Sequence, residues 1–349
     1  MPKYTNPSHP RPFAIRDTVL SGFPASLLAG TESIAMTNWK ITLSYDGGPY
    51  RGWQIQPNLP TIQGLLSDAL QRTVGERVLP QGSGRTDAGV HALGQVASFS
   101  LKAPIPAANL HRALNRCLPP SIRVLEVEIV PPDFHARHSA LGKTYEYRIF
   151  PLQQSTNPGA PQPGSQASAV ARRGGRLDFE MWEENICPPT LAPYVWPCPW
   201  PLDLGALNQA ASHVLGTHDF TTFAAADPDL THRTVHTTEP GAPHLDSEMW
   251  VGPPPPPIRT ITHSQWHASD GLFLYRVTAN GFLHHMVRNL VGTFVQCGAH
   301  RLDPGSIPAL LAARDRAAAG PTAPATGLFL VSVDYPLGSV KPLDPPNYP

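Results

Sequence analysis

Residues 82–92 read Gly82-Ser83-Gly84-Arg85-Thr86-Asp87-Ala88-Gly89-Val90-His91-Ala92, the densest chemical signal in the chain. Three glycines in eight residues permit unusual backbone angles and let another backbone come close. Arg85 and Asp87 stand two apart, so in an extended segment they point the same way and can pair. A neighbouring arginine keeps an aspartate ionised even where water is excluded, which is the state a nucleophile or base needs. The plainer reading, a structural bridge in a tight turn, is favoured for an isolated R-x-D; the glycines and the nearby His91 favour chemistry. The loop is no familiar phosphate cradle. It lacks the Lys-Ser/Thr end of a P-loop and the G-x-G-x-x-G spacing of a dinucleotide site. A glycosidase needs two carboxylates at a defined separation, and only Asp87 lies here.

Around the loop the sequence alternates strands and helices. Residues 39–45 read as a β-branched, alternating strand broken by Asp46-Gly47-Gly48-Pro49. Residues 61–74 place Ile62, Leu65, Leu66, Ala69 and Leu70 on one helical face. A strand follows over 95–101, a helix over 107–116, and strands over 122–130 and 144–150. The second half repeats the grammar: a helix over 203–215, strands over 258–266 and 272–279, helices over 282–297 and 306–316, and a closing strand over 327–335. This predicts an α+β fold with a sheet covered on one face.

Proline divides the chain. There are 42 prolines in 349 residues, and 26 of them fall in segments 1–38, 151–201, 240–257 and 341–349. The remainder is near the ~5 % typical of folded chains. The division is an extension over 1–38, a half over 39–150, an insertion or linker over 151–201, and a half over 202–340. The second half carries an insertion at 240–257, and a tail follows at 341–349. Both insertions read as surface features outside the core, the run of five prolines at 253–257 being extended. No apolar run approaches a membrane span, and the first 35 residues lack the pattern of a secretory signal. The four cysteines have no C-x-x-C spacing, so a zinc ribbon, redox pair or disulfide framework is not indicated, and a cytoplasmic compartment is the expectation. Net charge is zero, but residues 82–150 carry eight Lys/Arg against five Asp/Glu, and 177–250 carry one against eleven. An RNA-binding face is permitted by charge, not demanded.

The loop, read on as GRTDAGVHALGQVASF, resembles the catalytic motif of the TruA family of tRNA pseudouridine synthases. Four further stretches resemble that family in order. They are Tyr45-Asp46-Gly47 with Tyr50, Gly52, Trp53 and Gln54; Phe134-His135-Ala136-Arg137 with Lys143, Tyr145 and Tyr147; Phe282 to Asn289 with Val291-Gly292; and Gly327 to Tyr335. The resemblance implies two similar α/β halves whose sheets join, a central RNA-binding cleft, and a homodimer that grips one tRNA. It also implies conversion of uridine to pseudouridine at positions 38 to 40 of the anticodon arm, without cofactor or metal. Asp87 matches the essential aspartate, which either attacks C1′ or takes a proton from C2′. Arg85 matches the arginine that pairs with it and fills the gap left by a flipped base. Tyr145 matches a tyrosine packed on the target uracil, and Arg288 a helical arginine that reaches the aspartate.

Beside these, His91 is a candidate substrate contact. Arg112, Arg116 and Arg137 either touch tRNA phosphates or are solvated surface. His284, one turn from Arg288, either touches phosphate or serves as a cap or core residue. The sequence departs from the family after Phe223, where Ala224-Ala225-Ala226 replaces a frequent arginine, and in its longer insertions. Residues 1–35 match nothing in the family, and Met36 directly precedes the matching region. The rival readings are a non-catalytic RNA-binding protein of the same fold, which the intact Arg85/Asp87/Tyr145/Arg288 set opposes, and a proline-rich scaffold, which the lack of a basic-flanked P-x-x-P opposes.

Overall fold

In Trp39-Lys40-Ile41-Thr42-Leu43-Ser44-Tyr45 the odd positions are apolar or aromatic. Those four side chains are buried, while Lys40, Thr42 and Ser44 are half-buried. This is the pattern of a strand with one face on a core. It forms strand β1, Thr37–Tyr45, of a computed structural model that describes residues 36–152, 186–226 and 256–336.

Helix α1, Ile62–Val74, starts where the Thr61 hydroxyl accepts from the Gly64 N–H at 3.3 Å and stops at Gly75, in the left-handed conformation at φ 75°. There follow β2 (Gln81–Gly82), β3 (His91–Leu101), α2 (Ala107–Cys117), β4 (Ile122–Ile129) and β5 (Gly142–Pro151). The middle segment contributes β6 (Trp196–Cys198), α3 (Leu204–Ser212) and β7 (Gly216–Asp219). The last contributes β8 (Ile258–Ser269), β9 (Leu272–Ala279), then helices Met286–Gly298 and Ile307–Ala313, here α4 and α5, and strand β10 (Leu328–Asp334).

One mixed sheet runs in the order β4-β1-β3-β10-β5-β9-β8-β7, with β2 on β3 and β6 on β5. All pairings are antiparallel except β3 with β10 and β5 with β6. Helices α1 to α4 cover the face bearing Trp39, Ile41, Leu43, Tyr45, Tyr147, Tyr275 and Val277, and their apolar residues form one continuous core with it. A small second cluster of Val96, Val130, Phe134 and Ala136 packs with Val333 and Tyr335. The α+β expectation holds. The two halves share a sheet, with β10 as its central strand.

Three sequence expectations are corrected. The helix expected over 282–297 begins at Met286, because His285 takes a left-handed backbone (φ 57°) and Phe282 and Leu283 are apolar without being helical. Strand β3 starts at His91 rather than Gln95, because a bulge at residues 93–94 absorbs the irregular stretch. The segment 151–201 is not wholly outside the core. Its described end forms β6, Val195 and Cys198 are buried, and the Tyr194 hydroxyl donates to Asp46 Oδ2 at 3.4 Å. Pro197 is tolerated because β6 is a short strand at a sheet edge. Residues 153–185, 227–255, 1–35 and 337–349 lie outside the described residues, and with them nearly all of 240–257 and the tail.

Candidate active site

The loop 83–90 joins β2 to β3, and its shape is fixed by what it touches. The Ser83 N–H donates to the Val96 carbonyl at 2.7 Å, and the Ser83 hydroxyl donates to Gln95 Oε1 at 2.7 Å. Gln95 Nε2 donates to the Gly84 carbonyl at 2.9 Å, and Lys143 Nζ donates to the Ser83 carbonyl at 2.6 Å. Tyr45 and Thr86 share a hydroxyl–hydroxyl bond of 2.9 Å. From below, the turn after β1 supports the loop, with the Trp53 N–H donating to the Thr86 carbonyl at 3.0 Å. A Cβ on Gly52 would stand 2.6 Å from that carbonyl oxygen, and Gly52 has φ 90°, so only glycine allows this approach. The Tyr45 to Gln54 stretch therefore acts as a cradle for the loop.

Asp87 emerges from the loop at the first turn of α4. Its Oδ2 accepts from Arg288 Nη1 at 3.2 Å, across 201 positions of sequence. His285 Nε2 lies 3.3 Å from the same oxygen, and His284 Nε2 lies 3.5 Å from Oδ1. Arg288 is 16 % exposed and Asp87 23 %. A guanidinium in the first helical turn opposes the helix dipole, whereas a carboxylate there is favoured, so the pair suits both partners. Arg288 Nε donates to the Ala323 carbonyl at 2.8 Å, which fixes the guanidinium plane. That carbonyl is itself positioned by a buried network. Asn289 Oδ1 accepts from Arg316 at 3.0 Å and from Thr322 at 2.6 Å, and Asn289 Nδ2 donates to the Phe223 carbonyl at 2.8 Å.

Tyr145 lies on β5 opposite Leu330 and Val277, 8 % exposed, with its ring edge-on to Phe282 at 5.0 Å. Burial, then the nearby Tyr45 and Asp87, push its hydroxyl far above the usual phenol range, so it is a neutral aromatic surface and hydrogen-bonding group. Tyr45 is likewise pushed up to about 12 by burial. Lys143, two residues before Tyr145 on the same strand face, is pulled down to about 8 by burial and by Arg137 and Arg259. The geometry can hold a carboxylate beside an aromatic wall, with a fixed guanidinium on one of its oxygens.

The other expected residues are placed differently. Arg85 is exposed on the loop and is not among the groups within ion-pair distance of Asp87. His91 is 1 % exposed and cannot meet a substrate. It starts β3 with its side chain on the opposite face, stacked on Phe329 at 4.7 Å, and Nδ1 accepts from the Gly47 N–H at 3.1 Å. Arg112 and Arg116 are exposed on α2, Arg112 bonding Asn109, and Arg137 is exposed with its N–H donating to His135 Nδ1. His284 does reach the site, and its Nδ1 bonds the Ala226 carbonyl at 2.9 Å. Sequence reasoning left His285 and Lys143 without roles. Lys143 is signalled by its i, i+2 relation to Tyr145, while the turn that aims His285 leaves no sequence mark. Donor atoms of Asp87, His284 and His285 lie within 4.8 Å of one another, the spacing of a cation site. Arg288 already neutralises the same carboxylate, so a divalent ion would enter against a fixed positive charge.

The family model described as tRNA pseudouridine synthase matches residues 41–139 and 251–336. A tRNA pseudouridine synthase A from Solibacter usitatus (strain Ellin6076) is 41 % identical over 301 residues, covering 86 % of this chain and 100 % of that protein. One from Moorella thermoacetica (strain ATCC 39073 / JCM 9320) is 42 % identical, covering 85 % and 98 %. One from Rhodopseudomonas palustris (strain BisB5) is 37 % identical, covering 86 % and 100 %. Asp87 lies in the first segment matched by the family model and Arg288 in the second, so the ion pair at the site is built from both stretches on which the likeness rests, and the chain belongs to the tRNA pseudouridine synthase family.

Proposed function

We propose that the protein isomerises uridine to pseudouridine in the anticodon stem-loop of tRNA, at one or more of positions 38, 39 and 40, with Asp87 as the catalytic carboxylate. The observation that carries this reading is the Asp87–Arg288 pair beside the buried face of Tyr145. The reaction breaks the N1–C1′ bond, joins C1′ to C5, removes the proton from C5 and places one on N1. Nothing is oxidised or reduced, so no redox cofactor is required. Asp87 acts at the sugar, by attack on C1′ or by taking the C2′ proton. Tyr145 offers the uracil a flat partner, a stacking contact that tolerates any base. Arg85, exposed at the end of the loop, suits the gap left when the nucleotide leaves the stack. Arg112, Arg116, Arg137 and His284 are proposed phosphate contacts.

The partner is tRNA, gripped by a homodimer in the cytoplasm. No helix among the described residues is long and apolar enough to cross a membrane. The test is pseudouridine mapping of unmodified tRNA incubated with the wild-type protein and with Asp87→Ala. Conversion confined to the anticodon arm and lost in the variant supports the reading. Unchanged uridine at all three positions, with tRNA still bound by the wild type, overturns it in favour of a non-catalytic RNA-binding protein.

A further inference from the structure

Two imidazoles face Asp87 beside the guanidinium, and their geometry differs. His284 Nδ1 lies 2.9 Å from the Ala226 carbonyl, which can only accept, so Nδ1 carries a hydrogen. Its Nε2 lies 3.5 Å from Asp87 Oδ1, at the far edge of hydrogen-bond reach. His285 is stacked on it with ring centres 3.9 Å apart, and its Nε2 lies 3.3 Å from Oδ2.

His285 also sits where its residue type is not needed by the helix. It occupies the N-cap of α4, a position at which Ser, Thr, Asp or Asn satisfies a backbone N–H, yet its side chain makes no capping bond. Its backbone is left-handed, at φ 57° and ψ 5°, a region that side-chain-bearing residues seldom adopt. Strain of this kind persists where the surroundings require it. Its effect here is to carry the imidazole from the helix start to the carboxylate.

The charged and titratable groups facing His285 are Asp87 from the loop, the adjoining His284, Arg288 from α4, and Arg316 from the turn after α5. Burial is the largest influence; with His284, Arg288 and Arg316 it outweighs Asp87 and holds the imidazole below its ordinary range. The geometry that bears on its role is Nε2 standing 3.3 Å from Oδ2, where a hydrogen on that nitrogen meets the carboxylate.

We propose that His285 is a positioning residue for the isomerisation: with Arg288 it holds Oδ2 of Asp87, and so leaves Oδ1 as the oxygen presented to the sugar. This rests on the reading of Asp87 as the catalytic carboxylate. At 3.3 Å, His285 Nε2 is in contact with Oδ2 without a hydrogen bond, and the bond forms when substrate fills the site, since catalytic hydrogen bonds are often long or poorly aligned before substrate binds.

The experiment compares His285→Gln, which keeps an N–H donor at similar reach, with His285→Phe, which keeps the ring and removes the donor. His285→Asn, whose residue type tolerates the left-handed backbone, keeps a donor on a shorter arm. Asp87→Asn is measured beside them, with melting temperature, kcat and KM for tRNA determined for each. The expected result is a fall in kcat of about tenfold or more for His285→Phe, with KM little changed, and substantial recovery in His285→Gln. Should His285→Phe fail to fold, His285→Asn takes its place, and a kcat well below that of His285→Gln supports the proposal. Wild-type kcat in the donor-less or short-armed variant, equal losses in it and His285→Gln, or a loss confined to KM overturns it. An inactive Asp87→Asn beside a fully active His285→Phe overturns this inference alone, whereas an active Asp87→Asn overturns both it and the reading of the site.

Discussion

Asp87 and Arg288 are legible in the sequence because each is an expensive residue in its setting: a carboxylate in a glycine loop, and a guanidinium on an otherwise apolar helix. Their meeting is not legible, since it depends on 201 intervening positions folding correctly. Asp87→Asn is expected to lower turnover by about three orders of magnitude or more, while tRNA affinity stays within a few-fold. Filter retention alongside isomerisation checks this, and near-wild-type turnover would refute it. Arg288 divides its guanidinium between the Ala323 carbonyl and Asp87 Oδ2, a fork that a single ammonium cannot reproduce. Arg288→Lys should therefore cut turnover by roughly a hundredfold at saturating tRNA. If instead turnover is kept and only the salt dependence of binding weakens, the residue is a phosphate contact. His91 shows how residue-level reading fails. Its place beside the loop is plain, but which face of β3 it takes depends on the bulge that follows. Burial lowers its pKa from 6.5, so the folded state binds this proton less well than the unfolded chain. The stability it contributes is present above about pH 6.5 and declines as pH falls below that. Denaturation midpoints across pH 5 to 7.5 should fall toward acid, with a shallower slope in His91→Gln; His285, lowered in the same direction, accounts for a remaining slope.

At the scale of elements, periodicity located the five helices and the seven longer strands of the described residues, because each buries one stripe or one face, and missed β2, β6 and β7, which at two to four residues are too short to show a period. It failed at residues 282–285, where Phe282 and Leu283 pack against the core from a turn, and apolar residues in a turn imitate a helix start. The close fit of α4 to its neighbours was hidden as well. A Cβ on Gly292 would lie 1.7 Å from the Pro321 carbonyl oxygen, so helix and loop touch backbone to backbone. Gly292→Ala must push the 320–323 loop away, and with it the carbonyl that holds Arg288. The expected outcome is a loss of about 1–3 kcal/mol in stability and a fall in kcat larger than the change in KM. Differential scanning calorimetry and steady-state rates check it, and an unaltered melting temperature would mean that the helix and loop separate freely. The network around Asn289 predicts a related effect. Arg316→Ala should lower kcat although Arg316 makes no bond to Asp87.

For the whole molecule, composition separated a folded body from proline-rich segments, yet it could not tell which parts of those segments dock. Residues 192–198 dock: Tyr194 lies 5.2 Å from His91, and β6 pairs with β5. Replacing 192–198 by a Gly/Ser stretch of equal length should uncover His91 and lower the melting temperature by several degrees. A melting temperature equal to the wild type would show that the segment is dispensable. The position of β10 has a different kind of consequence. It lies between β3 and β5, pairing with His91 and Ala92 on one side and with residues 142–147 on the other. Ribosomes deliver it after every other strand of the sheet. Until then the facing edges of β3 and β5 offer unpaired backbone groups, and the two ends of the sheet have no strand between them. A nascent chain halted at residue 327 thus carries Asp87, Tyr145 and Arg288 with the centre of its sheet still open, a form suited to capture by a chaperone or by another unfinished chain.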